Sequence, residues 1–122
     1  MKKILCAVAV VVCLAVVAGA VNVSYAETAS QRNAVRAARN YLDLTGFSRQ
    51  GLIQQLEYEG YSNEDAVYGT DQIGADWKEQ AARKAEEYND LMPFSRQGLI
   101  EQLEYEGFTH EEAVYGVDSI GL

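Results

Sequence analysis

Hydrophobic positions along the chain follow two regimes. Residues 4–21, ILCAVAVVVCLAVVAGAV, form an apolar run without a charge. From about residue 28 the apolar positions thin out and recur every three or four residues, the period of a helix with one buried face. No stretch alternates apolar and polar residues with period two, and the chain has a single proline, Pro93. The pattern predicts an all-α protein.

The clearest stripe is Trp77, Ala81, Ala85, Tyr88 and Met92. It opens on Asp76-Trp77-Lys78-Glu79, a capping-box spacing in which Asp and Glu would reach orphan backbone donors. Pro93 stops it. An earlier stripe, Ala34, Ala38, Tyr41 and Leu42, ends near Gly46. Ser48 is then a good N-cap, and Phe47 and Leu52 stand at the spacing of a hydrophobic staple. Leu52, Ile53 and Leu56 share a face, and Gly60 is placed for a left-handed helix end. A third helix is expected from Ser62, with Ala66, Val67, Thr70 and Ile73 inward and Gly74 closing it.

These elements occur twice. FSRQGLIQQLEYEGYSNEDAVYGTDQIG at 47–74 aligns with FSRQGLIEQLEYEGFTHEEAVYGVDSIG at 94–121, identical at 21 of 28 positions. The offset is 47 residues, and upstream it still pairs Arg36 with Arg83, Tyr41 with Tyr88, Asp43 with Asp90 and Leu44 with Leu91. The chain therefore reads as two tandem three-helix repeats of helix-turn-helix type, residues 28–75 and 76–122, behind an N-terminal segment, 1–26. Joined through Gly74-Ala75, the units are expected to have separate cores and limited contact. Gly51 and Gly98 lie mid-helix at a cost of about 1 kcal/mol against Ala. They are expected to admit a neighbouring helix.

Lys2 and Lys3, the apolar run, and Ser24-Tyr25-Ala26 fit a secretory signal cut after Ala26. An uncleaved anchor is the alternative, since 18 apolar residues just span a bilayer core. Either way the rest of the chain is exported, extracellular or held at the cell surface. Cys6 and Cys13 lie inside the run; Val12 before Cys13 departs from a lipid-attachment pattern, and both cysteines read as small hydrophobes.

Charge narrows the function. The whole chain is −8, with 10 Lys and Arg against 18 Asp and Glu. Removing Lys2 and Lys3 leaves eight bases against 18 acids, or −10 for the remainder. The helix-turn-helix shape suggests DNA, yet the helix that would read bases, Asn63-Glu64-Asp65-Ala66-Val67-Tyr68, carries no base. Acidic surfaces oppose phosphate binding, so nucleic acid is not an expected partner. One histidine, His110, no cysteine beyond residue 26 and no calcium-loop pattern leave no expected metal or cofactor. No enzymatic activity is expected.

The candidate site residues are the duplicated Leu-Glu-Tyr-Glu-Gly blocks. Glu57, Tyr58, Glu59 and Glu104, Tyr105, Glu106 would present an aromatic ring flanked by carboxylates to a basic or sugar-like partner. A second buried face is the competing explanation for these tyrosines. Tyr68 and Tyr115 lie off the Ala66/Val67/Ile73 face, as contact residues or packed on the long helix.

The motif FSRxGLIxQLEYEGF, a Ser or Thr cap and then EEAxYxxD resembles the Ltp-type host cell surface-exposed lipoproteins, across nearly all of both repeats. That resemblance implies tandem helix-turn-helix repeats and, for phage-encoded members, superinfection exclusion. The implied partner is a basic segment of the phage tail tape-measure protein, met by a monomer at the membrane's outer face. The alternative is a cell-envelope adaptor binding wall polymer, a membrane surface or another surface protein. Mass spectrometry of the exported protein checks its N-terminus: a cleaved signal gives Glu27 first, whereas a lipid-modified Cys13 contradicts that processing.

Overall fold

The computed structural model describes residues 26–122. The apolar run, on which the signal or anchor expectation falls, lies outside them. Six helices follow: α1 (Ala29–Leu44), α2 (Arg49–Tyr58), α3 (Asn63–Gln72), α4 (Trp77–Leu91), α5 (Arg96–Tyr105) and α6 (His110–Ser119). Among the described residues there is no strand, as the periodicity predicts. None of these helices is long and apolar enough to cross a membrane.

Each helix begins where a side chain can accept its first free N–H groups. Thr28 accepts from Gln31 N, and Gln31 returns the bond to Thr28 N. Ser48 and Ser95 accept from Gly51 N and Gly98 N at 2.8 and 3.0 Å. Ser62 accepts from Asp65 N, and Thr109 forms a reciprocal box with Glu112. Asp76 caps Lys78 N and Glu79 N, but Glu79 does not complete the expected box. Its carboxylate instead accepts the Tyr115 hydroxyl at 2.6 Å. Gly60 and Gly107, with φ of 104° and 103°, make the left-handed turns that reverse the chain between the short helices.

In each repeat the short helices form a hairpin against the long one. Leu52, Ile53, Leu56, Ala38 and Ala66 make the first core. Leu99, Ile100, Leu103, Ala81, Ala85, Phe108, Ala113 and Val117 make the second. Burial of each leucine contributes about 1.5–3 kcal/mol. Arg49 braces α2 to α3 through two bonds to Asp71, at 2.7 and 2.9 Å, holding that carboxyl below its ordinary range. Arg96 and Asp118 repeat the pair.

The long helix meets the third helix of its repeat almost backbone to backbone. A Cβ added at Gly69 would lie 2.7 Å from the Ala34 carbonyl carbon; at Gly116 it would lie 2.6 Å from that of Ala81. Gly69, Gly116, Ala34 and Ala81 are all buried. Gly51 admits the close neighbour expected of it, since a Cβ there would lie 3.1 Å from the Glu106 carbonyl at the C-cap of α5, besides 2.8 Å from its own Ser48 cap. Gly98 does not: a Cβ there meets the Ser95 cap of its own helix at 2.9 Å and no backbone of another helix.

The two cores are separate, but the repeats touch beyond Gly74-Ala75. Trp77 leaves the stripe of its own repeat and packs on the first core, because the chain crosses that core on entering α4. Met92, at the C-cap of α4, is solvent-exposed rather than inward. The turn between α1 and α2 docks on repeat two through polar groups. The Thr45 hydroxyl donates to the Glu87 carboxylate, Gly46 N–H to the same carboxylate at 3.2 Å, and Ser48 Oγ to the Glu106 carbonyl at 2.6 Å. Arg83 donates to the Leu42 and Asp43 carbonyls at the end of α1.

Two neighbouring substitutions have opposite expected signs. Gly69→Ala improves intrinsic helix propensity by about 1 kcal/mol, but its methyl meets backbone that cannot yield, so a net loss of about 1–3 kcal/mol is expected. Thr70 is fully buried and its Oγ1 has no hydrogen-bond partner. Repeat two carries Val117 at that position, so Thr70→Val should gain about 1 kcal/mol and Val117→Thr should lose about as much. Urea unfolding midpoints at constant slope measure all three.

Candidate functional site

The duplicated Glu-Tyr-Glu blocks fall at the C-terminal ends of α2 and α5. Each of these helices turns its Leu/Ile face to the core, which carries the tyrosine two residues past Leu56 or Leu103 to the outside. Tyr58 and Tyr105 are each 88% exposed, so they do not form a second buried face. Glu57, Glu59 and Glu104 are exposed beside them. Glu57 accepts a bond from Asn63 Nδ2 at 3.3 Å, and Glu104 lies 3.6 Å from His110 Nδ1.

The two copies are not equivalent in their surroundings. Glu106 is half-buried at the junction of the repeats, 3.8 Å from Lys84 Nζ. Its partner Glu59 faces solvent. Tyr105 and Glu106 line a cleft of about 320 Å³ together with Gly46, Ser48, Gln54 and Lys84. No further repeat lies against Tyr58 among the described residues.

Tyr68 and Tyr115 are tied into the scaffold by their hydroxyls. Tyr68 donates to Glu27 at 2.7 Å and Tyr115 to Glu79 at 2.6 Å. The bonded carboxylates push both phenols above their ordinary range. Lys78 also stands 5.8 Å from the Tyr115 ring centre. Tyr115 keeps 40% exposure and Tyr68 is half-buried, so each can present only part of a ring to a partner.

A second pair of tyrosines, Tyr41 and Tyr88, read from the sequence only as inward positions of the long helices, lies beside the site. Each packs edge-on against the phenylalanine that opens the next helix, Phe47 or Phe94, at 5.5 and 5.7 Å. Gln55 and Gln102 donate to their hydroxyls at 3.2 and 3.3 Å. The conserved 47-residue offset of Tyr, Phe and Gln was the available signal. Lys84 lies 5.3 Å from the Tyr88 ring centre. Burial, and then the Glu106 carboxylate, push the Tyr88 phenol up to about 12. Glu59 and burial raise Tyr41 also.

Among the described residues no cluster of His, Cys, Asp or Glu could hold a metal ion. The surface grooves are shallow, and the carboxylates are distributed along helix ends rather than paired across a cleft. Such a site is suited to contact with another macromolecule through exposed rings and negative charge.

Paired helix-turn-helix units with acidic, aromatic tips define a small helical-repeat protein. The chain belongs to the Ltp family, described as host cell surface-exposed lipoprotein, which matches residues 29–73 and again 76–120. It is similar in structure to Ltp, a superinfection exclusion protein from the Streptococcus thermophilus temperate phage TP-J34. The TM-score is 0.69 at 32% identity, over 75% of this chain and 95% of that one. No curated protein sequence matches.

The Tyr88 environment makes the stability of repeat two depend on pH. Its phenol titrates near 10 when unfolded and near 12 in the fold, so the folded state holds the proton more tightly. The stabilisation is complete below pH 10 and is lost as pH rises from 10 towards 12. The melting-temperature gap between the wild type and Tyr88→Phe should therefore narrow across that window. A gap that stays constant to pH 12 contradicts the shifted phenol.

Proposed function

We propose that this chain acts at the cell surface in superinfection exclusion, binding a basic segment of an incoming phage's tail, of the tape-measure type, and so stopping DNA entry. The observation that carries the reading is the pair of 88% exposed tyrosines, each beside outward carboxylates, on a chain of the Ltp family. An exposed ring offers a face for cation–π contact with Lys or Arg, and neighbouring acids attract the same side chains. The excess of acids over bases steers a basic partner from a distance, and salt limits that reach to about 8 Å under physiological conditions. The tandem arrangement suits a repetitive partner, since the second contact forms at the effective concentration set by the first.

Of the expected contact residues, Tyr58 and Tyr105 are the most exposed, and Glu57, Glu59 and Glu104 stand exposed beside them. Glu106, Tyr68 and Tyr115 are partly committed to internal contacts, so they contribute less to recognition in this reading.

The test is expression in a phage-sensitive host with adsorption and DNA entry measured separately. Wild-type chain should leave adsorption intact and reduce entry. Glu57→Gln, Glu59→Gln and Glu104→Gln combined remove three charges while sparing the junction residue Glu106. That variant should melt within a few degrees of the wild type yet protect at least tenfold less, a difference of about 1.4 kcal/mol in binding. Undiminished protection, with binding to a tape-measure segment insensitive to salt, would sink the electrostatic reading and shift recognition to the tyrosines.

A further inference from the structure

Repeat two carries a groove that repeat one fills. Its walls are α4 and the end of α5, and its occupant is the last turn of α1 with Thr45-Gly46-Phe47-Ser48. Arg83 donates to the terminal carbonyls of α1, Glu87 accepts from Thr45 and Gly46, and Lys84 Nζ stands 3.4 Å from Thr45 Oγ1. The fit is close: a Cβ at Gly46 would lie 2.9 Å from the Gln80 carbonyl oxygen.

The 47-residue offset places the same groove on repeat one, with Arg36 for Arg83, Ala37 for Lys84, Asn40 for Glu87, Tyr41 for Tyr88 and Glu59 for Glu106. There no described residue occupies it. A cavity of about 290 Å³ remains, lined by Ala37, Asn40, Tyr41, Leu44 and Glu59. Leu44 on its rim is 77% exposed, and Arg36 faces solvent.

A second copy of the chain is a poor occupant. The turn it could offer reads Met92-Pro93-Phe94-Ser95. Met92 lacks the Thr45 hydroxyl. Pro93 lacks the N–H that Gly46 donates, and its ring would enter space where even a methyl group is too close. The head-to-tail contact therefore ends after two repeats, as terminal units of repeat arrays do when their outer faces differ. Exchange of Lys84 for Ala37 and Glu87 for Asn40 also changes what the open groove takes: less charge and more room for an apolar side chain.

We propose that this groove on repeat one is a docking site for the C-terminal end of a helix in a partner protein. Arg36 would donate to the helix's last carbonyls, as Arg83 does within the chain. Asn40 would pair with a backbone or hydroxyl group of the following turn, and Ala37, Tyr41 and Leu44 would receive an apolar side chain. Arg36 is matched to carbonyl oxygens because the last four carbonyls of any helix lack intrahelical donors. The negative end of the helix dipole favours the guanidinium further.

The probe is a cross-linked helical peptide with the sequence of residues 36–50, added to isotope-labelled full chain and followed by amide chemical shifts. Shifts centred on Arg36, Ala37, Asn40 and Leu44 are expected, with weak affinity. Ala37→Lys with Asn40→Glu restores the pairing of the occupied groove and should tighten binding of this peptide about tenfold. Leu44→Glu, at an exposed position, should abolish the shifts without loss of fold. No shifts in either the wild type or the Lys/Glu variant would overturn the proposal. So would concentration-dependent shifts of the same amides without peptide, which would make the occupant a second copy.

Discussion

The approach of α1 to α3, and of α4 to α6, governs the geometry of everything else. Where Ala34 meets Gly69 and Ala81 meets Gly116, no side chain larger than a methyl separates two helix backbones. Dispersion contacts are dense at such a crossing, and the third helix is held at one depth against the long one. The short hairpin then has to place its Leu/Ile face under the long helix. That in turn fixes the outward direction of Tyr58 and Tyr105. A single larger residue at either glycine would tilt the hairpin and move the tyrosine with it.

Much of this was legible because local signals agreed. The caps at Ser48, Ser62, Ser95 and Thr109, the Gly60 and Gly107 turns and the Leu52/Ile53/Leu56 face all rest on interactions within a few residues. The repeat itself confirmed each one twice. The glycine crossing was less legible. Gly51 and Gly98 drew attention as mid-helix glycines, and of these only Gly51 meets another helix's end, whereas the crossing of helix on helix is at Gly69 and Gly116, equally mid-helix. Periodicity assigns a face, but not the distance at which that face meets its neighbour. Trp77 lay on a perfect helical stripe and yet joins the other core, because a stripe does not record which repeat is nearest at a boundary. The same limit applies to Glu79, whose spacing suited a cap while Tyr115, 36 residues away, holds its carboxylate.

At the candidate site, the angle of Tyr58 and Tyr105 to the leucine face left an exposed ring and a second buried face both open, and the structure exposes both rings. The difference between Glu59 and Glu106 could not follow from sequence, since the two blocks are identical. It arises from neighbours: Glu106 has repeat one against it, while Glu59 has no such neighbour. Sequence identity within the chain thus coexists with different electrostatic surroundings. Lys84 and Glu87, absent from repeat one, are the residues that create the difference.

Near-identity of the two α2–α3 and α5–α6 hairpins raises a question of correct assembly. Each presents almost the same leucine face and the same glycine, so either could be accepted by either long helix. Surface complementarity does little to tell them apart. Connectivity does: four residues, Thr45 to Ser48, tether α1 to its own hairpin, and the corresponding short link follows α4. Closing so short a loop costs little entropy compared with reaching across the other repeat. The α2–α3 hairpin is also tied to α4 by only four residues, Ile73 to Asp76, so chain length sorts chiefly the second hairpin, α5–α6, which would have to cross repeat one to reach α1. An insertion at the exposed Met92, in the link after α4, would weaken that sorting while sparing the Thr45–Ser48 turn that docks on repeat two.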